Sequence, residues 1–221
     1  MIIGISGKIG TGKDTVGSII KYWLNYVDKG KAGSYSSYLL MDHWYNPDDW
    51  VIKKFADKLK QIASILTGVS LDKLEDRNFK NSYMPSCWNK VKQMTECDGD
   101  DGVDGYSIMP MTYRQFLQEL GTEAIRNGLH ENTWVNALMQ QYDRNESNWI
   151  ITDVRFPNEY KAIIEAGGIM IRVQRDGVKD THPSETSLDH HQFDYTLYNS
   201  GDMEMLVKQV HQMLTFLKLI K

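Results

Sequence analysis

Apolar and polar positions along this chain fall into blocks with two different periods. Residues 1–6, Met-Ile-Ile-Gly-Ile-Ser, form a short continuous apolar run, the pattern of a strand buried on both faces. From Val16 to Val27 the apolar residues are Val16, Ile19, Ile20, Trp23, Leu24 and Val27, which paints one face of a helix. Residues 50–55 predict a second strand, and a helix follows from Ala56 to about Gly68. Further strands are predicted at 148–153, 168–173 and 195–198, with helices after Pro157 and over 203–219. Thr112 is a plausible N-cap for a helix striped by Phe116, Leu117 and Leu120, which Gly121 can bend or end. Another helix opens at 131–134 and runs to about Arg144. Strands alternating with helices predict an α/β fold, a parallel sheet with helices on both faces.

Between the first strand and the first helix lies Gly7-Lys8-Ile9-Gly10-Thr11-Gly12-Lys13-Asp14-Thr15. Strand, glycine loop, helix is the context that makes a phosphate-loop reading credible. Gly7, Gly10 and Gly12 let the backbone turn tightly and bring its N–H groups towards a phosphate. Lys8, Thr11 and Thr15 lie in the same loop, and the helix beginning near Lys13 points its positive end at the same anion. Lys13 can reach the β- and γ-phosphates of a nucleotide. The usual pattern has Ser or Thr directly after the lysine. Here Asp14 stands there, and a carboxylate can hold Mg²⁺ directly or through water.

The chain has 221 residues, enough for one domain with an elaboration and a sizeable core. A net charge of −4 gives no bulk attraction for nucleic acid, while a local basic pocket for phosphates remains open. The two cysteines, Cys87 and Cys97, match no zinc spacing and make no disulfide framework, so a reducing cytoplasm is the default. No signal sequence is evident, and no apolar run approaches the ~20 residues a membrane helix needs.

Further candidates follow from position. Asp57 sits just past a strand, where ligands gather in open α/β sheets, and an N-cap role is compatible with that. Residues 71–110 are the least regular, and 71–147 are expected to form an insertion on the substrate side of a single domain. The acidic run at 98–105 lacks calcium-loop spacing and reads as a solvated turn. Arg114 and Gln118 are four apart and share a helix face, with Arg126 further along if the helix continues. Asp153 ends a core strand beside the phosphate loop, the usual place for a second Mg²⁺ contact. Arg155, two residues on, is expected to face the cleft, where a guanidinium holds a phosphate by two parallel bonds. Residues 174–192 are polar and are expected to form a lid, exposed and mobile without ligand and ordered with both substrates. His182, His190 and His191 have no third spaced ligand and make a poor metal cluster.

Four motifs in order resemble those of the bacteriophage deoxynucleoside monophosphate kinases, a branch of the P-loop nucleotide kinases. They are Gly12-Lys13-Asp14-Thr15, then Phe55-Ala56-Asp57 with Leu59-Lys60, then Arg114-x-x-Leu117-Gln118-x-x-Gly121-Thr122-Glu123, then Asp153-Val154-Arg155-Phe156-Pro157-Asn158-Glu159. The likeness spans nearly the whole chain. It implies transfer of a phosphoryl group from ATP, with Mg²⁺, to a deoxynucleoside monophosphate in phage nucleotide supply. It implies Lys13, Asp57, Arg155 and Arg175 as catalytic residues, and Asp14 and Asp153 as Mg²⁺ contacts. Asp57, Lys58, Arg114, Gln118, Arg126, Trp134 and Arg155 would bind the acceptor, with Trp134 stacking on its base. Arg172 and Arg175 would close over the transferring group, and Asn199 would lie beside the donor adenine. The implied setting is the host cytoplasm, with small-molecule substrates, no nucleic acid or membrane partner, and a monomer or homodimer. Another P-loop small-molecule kinase would share the loop but not the third and fourth motifs. A non-catalytic ATP-binding accessory module would lack the acceptor pocket.

Overall fold

The computed structural model describes residues 1–28, 30–31, 33–40, 49–94, 105–177 and 186–220. Among the described residues its α-helices are α1 (Lys13–Tyr22), which runs on as a π-helix over Trp23–Val27, α2 (Tyr35–Leu39), α3 (Ala56–Thr67), α4 (Leu71–Glu75), α5 (Arg77–Lys80), α6 (Tyr113–Gln118), α7 (Thr133–Met139), α8 (Pro157–Glu165) and α9 (Met203–Phe216). The chain divides into two compact units, residues 1–56 with 135–221, and residues 57–134. The second unit therefore begins at Asp57 and ends at Trp134, where the sequence suggested an insertion over 71–147.

In the first unit every residue of β1 (Ile2–Ser6) is buried, as its unbroken apolar run requires of a central strand. It pairs in parallel with β5 (Asn148–Val154) on one side and β6 (Ile169–Gln174) on the other. β2 (Trp50–Lys53) adds beside β5, and β7 (Tyr195–Tyr198) beside β6. The resulting order is β2-β5-β1-β6-β7. Parallel neighbours need crossover connections, and helices supply them on both faces. The predicted apolar stripe of α1 is realised, because Val16, Ile19 and Ile20 are fully buried with Ile3, Ile5 and Val173 of the sheet and Leu206, Val210 and Met213 of α9. Each such side chain contributes about 1.5–3 kcal/mol by leaving water. α8 packs on β1 and β6, with Ile163 fully buried.

The strand order places the site. The chain passes from β1 to β2 on one side of the sheet and later crosses from β5 over β1 to β6 on the other, and this reversal opens a crevice at the carboxyl end of β1. The glycine loop leaves β1 at that crevice.

The second unit has its own core of Ala63, Leu74, Met84, Met111, Tyr113, Phe116 and Leu117. Residues 71–94 and 105–110 are more regular than expected. They carry α4, α5 and an antiparallel hairpin, β3 (Lys90–Met94) with β4 (Gly105–Met109), that sets Val91 opposite Ile108. Both of those side chains are exposed, so the hairpin lacks the alternation that burial of one face imposes. Thr112 caps α6 as predicted, in a reciprocal capping box with Gln115. Gly121 neither ends nor breaks this helix, which continues as a π-helix over Glu119–Asn127. α7 stops at Met139, short of the expected Arg144. Cys97, the acidic residues 98–104, Lys179, His182, Pro183 and Glu185 lie outside the described residues, as does the middle of the expected lid.

Candidate active site

The loop after β1 is held in shape by its own atoms and by one distant side chain. Thr11 donates its backbone N–H and its hydroxyl to the Lys8 carbonyl at 3.2 and 2.8 Å, which closes a tight turn. Gly12 caps α1 with φ 93° and ψ 23°, a left-handed conformation that disfavours any residue with a Cβ. Asn199, buried just past β7, donates its side-chain amide to the Thr11 carbonyl at 2.9 Å. Its own backbone N–H goes to the Gln174 carbonyl at 2.8 Å. The residue expected beside a donor base thus also braces the loop from behind. Lys13 is buried, and its ammonium donates to the Gly7 and Lys8 carbonyls at 2.5 and 2.9 Å. The positive charge is therefore stored inside the loop, at the N-terminus of a helix whose dipole has the same sign at that end.

Asp14, on the first turn of α1, is exposed at the mouth of this loop. Its Oδ1 accepts from the Thr152 hydroxyl at 2.8 Å and from the Lys54 ammonium at 3.1 Å. Burial of the surrounding atoms pushes the carboxyl pKa up. The Thr152 bond and the charges of Lys54 and Lys13 outweigh it, and the net shift is downward. Asp14 is therefore a carboxylate throughout the neutral range and well into acid.

Asp153 stands next to Thr152 in β5, and both its oxygens are engaged by backbone. Oδ1 accepts from the Phe55 N–H at 2.9 Å and Oδ2 from the Ala56 N–H at 3.0 Å. It thereby fixes the turn from β2 into α3. Glu159 has a similar role at the end of the same motif. Its buried Oε2 accepts from the Arg155 and Phe156 N–H groups at 2.8 and 3.0 Å and caps α8. Two acids of the Asp153–Glu159 motif therefore shape the backbone around Arg155. The Ser187 hydroxyl donates to the Arg155 carbonyl, which ties the far end of the expected lid to the same turn.

A cleft of about 410 Å³ opens beside the loop, lined among others by Lys8, Thr11, Arg172, Arg175, His191 and Tyr198. Arg175 is exposed there. Arg172, expected to close over the transferring group, is held in place by its neighbours. Its guanidinium is buried, donates to Ser6 Oγ at 3.0 Å, forms an ion pair with Asp189, and lies 5.5 Å from the centre of the Phe193 ring. A charge on a core strand is tolerated only when paired in this way, and the pairing fixes it in the wall.

The carboxyl end of the 174–192 stretch also departs from expectation. Leu188 is fully buried, Asp189 holds Arg172, and the Tyr160 hydroxyl donates to the Gln192 carbonyl at 2.6 Å. Residues 186–192 are thus anchored to the sheet-bearing unit by burial, charge and a hydrogen bond, where the sequence suggested an exposed segment.

In the second unit Asp57 and Lys58 lie on the first turn of α3, half-buried. On α6, Arg114 donates Nε to Asn81 Oδ1 at 2.7 Å, and Gln118 one turn on is exposed. Arg126, in the π-helix, reaches the Glu131 carbonyl at 3.5 Å. Trp134 corrects the sequence reading. It is 5% exposed, and its indole N–H donates to the Gly121 carbonyl at 2.9 Å. A ring so enclosed has no face to offer a base. Trp134→Phe is expected to lose about 1–3 kcal/mol of stability through the unpaired Gly121 carbonyl. The KM for any acceptor nucleotide should not move. Urea unfolding beside steady-state kinetics checks this, and a raised acceptor KM with unchanged stability would return Trp134 to the pocket.

Sequence reasoning passes over Thr152, Lys54, Ser6 and Asp189. The available signal for Thr152 is a hydroxyl placed directly after the apolar run Trp149-Ile150-Ile151 and directly before Asp153. Among the described residues no group of three or more His, Cys, Asp and Glu side chains is gathered for a metal, and no helix is long and apolar enough to cross a membrane.

The chain is similar to proteins of known kind. The family model for deoxynucleotide monophosphate kinase matches residues 52–210. A deoxynucleoside-5'-monophosphate kinase of Escherichia phage T5 is 25% identical over 91% of this chain and 90% of its own length. A protein of Acanthamoeba polyphaga mimivirus, assigned by name as a deoxynucleotide monophosphate kinase, is 26% identical over 95% of this chain and 94% of its own. With well over half its length matched by the family model, this chain belongs to the deoxynucleotide monophosphate kinase family.

Proposed function

We propose that the protein transfers the terminal phosphoryl group of ATP to the phosphate of a deoxynucleoside monophosphate. One observation carries the donor half of this reading. The glycine loop, the stored Lys13 charge and the N-terminus of α1 converge at the carboxyl end of β1, where the sheet opens its crevice. Family membership supports the acceptor class.

An acceptor phosphate oxygen attacks the γ-phosphorus, the bond from that phosphorus to its bridging oxygen breaks, and ADP leaves. Little covalent help is needed, so the protein's task is placement and charge neutralisation. Loop N–H groups from Gly7 to Thr15 cradle the donor phosphates. Lys13 exchanges the Gly7 and Lys8 carbonyls for the β- and γ-phosphates. The cleft lined by Lys8, Thr11 and Tyr198 suits the nucleoside half of the donor, and Arg175 at its rim is placed to cover the transferring group. Arg155, in the sheet-bearing unit, grips the acceptor phosphate. Asp57, Lys58, Arg114, Gln118 and Arg126 stay candidates for the acceptor on the strength of the family resemblance.

Mg²⁺ fits the residues present. Asp14 keeps its carboxylate ionised and exposed beside the phosphate loop, and Asp153 is a second oxygen donor close in the chain to Thr152. Oxygen-only ligands are what this cation takes. When bound, it neutralises charge on the donor phosphates. The Asp153 oxygens already serve two backbone amides, so contact through water suits it better than direct ligation.

A coupled ADP-release assay with each of four deoxynucleoside monophosphates, and with their ribose counterparts, tests the reading. Release that rises with at least one deoxynucleotide is the expected result. ADP release indifferent to every monophosphate would remove the acceptor half and leave a bare ATPase or binding module.

A further inference from the structure

We infer that Thr152 is a positioning residue for Asp14, and that Gly17 is the feature of α1 that lets it act. The inference rests on reading Asp14 as the cation contact. Asp14 and Gly17 are three apart and share one face of α1. That face lies against β5. A Cβ on Gly17 would sit 2.4 Å from Thr152 Cγ2, closer than real atoms approach. The missing side chain therefore lets the helix descend until the Thr152 hydroxyl reaches back one turn to Asp14 Oδ1, at 2.8 Å.

Thr152 is 1% exposed, so its hydroxyl has one address. A buried hydroxyl with a fixed partner holds that partner in one rotamer, as groups behind metal ligands commonly do. Lys54 meets the same oxygen at 3.1 Å. It is set there by its neighbours Phe55 and Ala56, whose amides are gripped by Asp153, the residue after Thr152 in β5. Two consecutive β5 residues thus act on Asp14, one directly and one through the β2 end. Both contacts fall on Oδ1. Oδ2 makes no bond among the described residues, and the Asp14 side chain is 71% exposed. The carboxylate is anchored by one oxygen and presents the other.

The test is titration of Mn²⁺, followed by electron paramagnetic resonance, into protein saturated with a non-hydrolysable ATP analogue. Wild type, Thr152→Val, Thr152→Ser and Asp14→Asn are compared, with thermal melts in metal-free buffer as a check of folding. Valine keeps the shape and removes the hydroxyl, and it should weaken Mn²⁺ binding about tenfold. Serine restores the hydroxyl and should recover wild-type affinity. Thr152→Val binding like wild type, or Thr152→Ser as weak as Thr152→Val, would overturn the positioning role. Loss in Asp14→Asn alone would leave the cation reading standing while that role fell. Wild-type binding by Asp14→Asn would instead sink the reading of Asp14, and the inference with it.

Discussion

Lys13→Ala is expected to lower kcat on the order of a thousandfold while the sheet stays folded. The ammonium donates to two loop carbonyls in the free protein, so its removal leaves the Gly7 and Lys8 carbonyls without that donor. That costs about 1–3 kcal/mol, a fraction of the stability of a domain this size. The catalytic loss is larger because the same charge is needed when negative charge builds on the departing β–γ bridge. No other described residue supplies a cation from within the loop except Lys8, which is half-exposed at the cleft. Single-turnover kinetics with saturating ATP and acceptor, beside circular dichroism, separates the two effects. A folded variant within tenfold of wild type would end the phosphate-loop assignment.

The features legible in the sequence are those governed by local chemistry. β1 announces itself because a central parallel strand is buried on both faces and must be apolar throughout. The loop announces itself because tight turns around an anion need glycine at fixed offsets. The Thr112 cap and Pro157 at the head of α8 follow from one residue's own preferences. Residues whose meaning depends on a distant partner are harder to read. Arg172 looks like a substrate arginine because Asp189 and Ser6, which hold it, are far away in sequence. Its position inside Ile169-Met170-Ile171-Arg172-Val173 already signals burial, since a charge amid such a run must be paired. Trp134 looks like a stacking ring, although its ring is buried and its indole N–H is committed to the Gly121 carbonyl, 13 residues earlier. The segment Glu119–Asn127 is amphipathic at the ordinary helical period, so nothing in its pattern separates the wider π turns from the α6 helix they continue. Asp153 and Glu159 show only their charge in the sequence, and the structure uses both to hold backbone amides.

Gly12→Ala is expected to weaken ATP binding about a hundredfold, and Gly10→Ala to leave it within a few-fold of wild type. Both glycines sit at positive φ, 93° and 84°, so each substitution carries a similar backbone cost of roughly 1–2 kcal/mol. Their surroundings differ. A Cβ on Gly10 meets nothing within 4 Å, whereas one on Gly12 would lie 2.6 Å from the Asn199 amide nitrogen. Asn199 cannot yield cheaply, because its amide holds the Thr11 carbonyl and its backbone is tied to Gln174. The alanine methyl therefore either breaks that brace or lifts the loop off the N-terminus of α1. Each outcome moves the N–H groups that must converge on one phosphate, and misplacement of about 1 Å is enough for a loss of this size. Equilibrium binding of an ATP analogue to both variants, with melting temperatures alongside, makes the comparison. Equal losses of affinity would assign the effect to backbone strain alone and free Asn199 of any share in it. A loss confined to Gly12→Ala, with both variants melting together, identifies the Asn199 brace as the element that keeps the loop in register for phosphate.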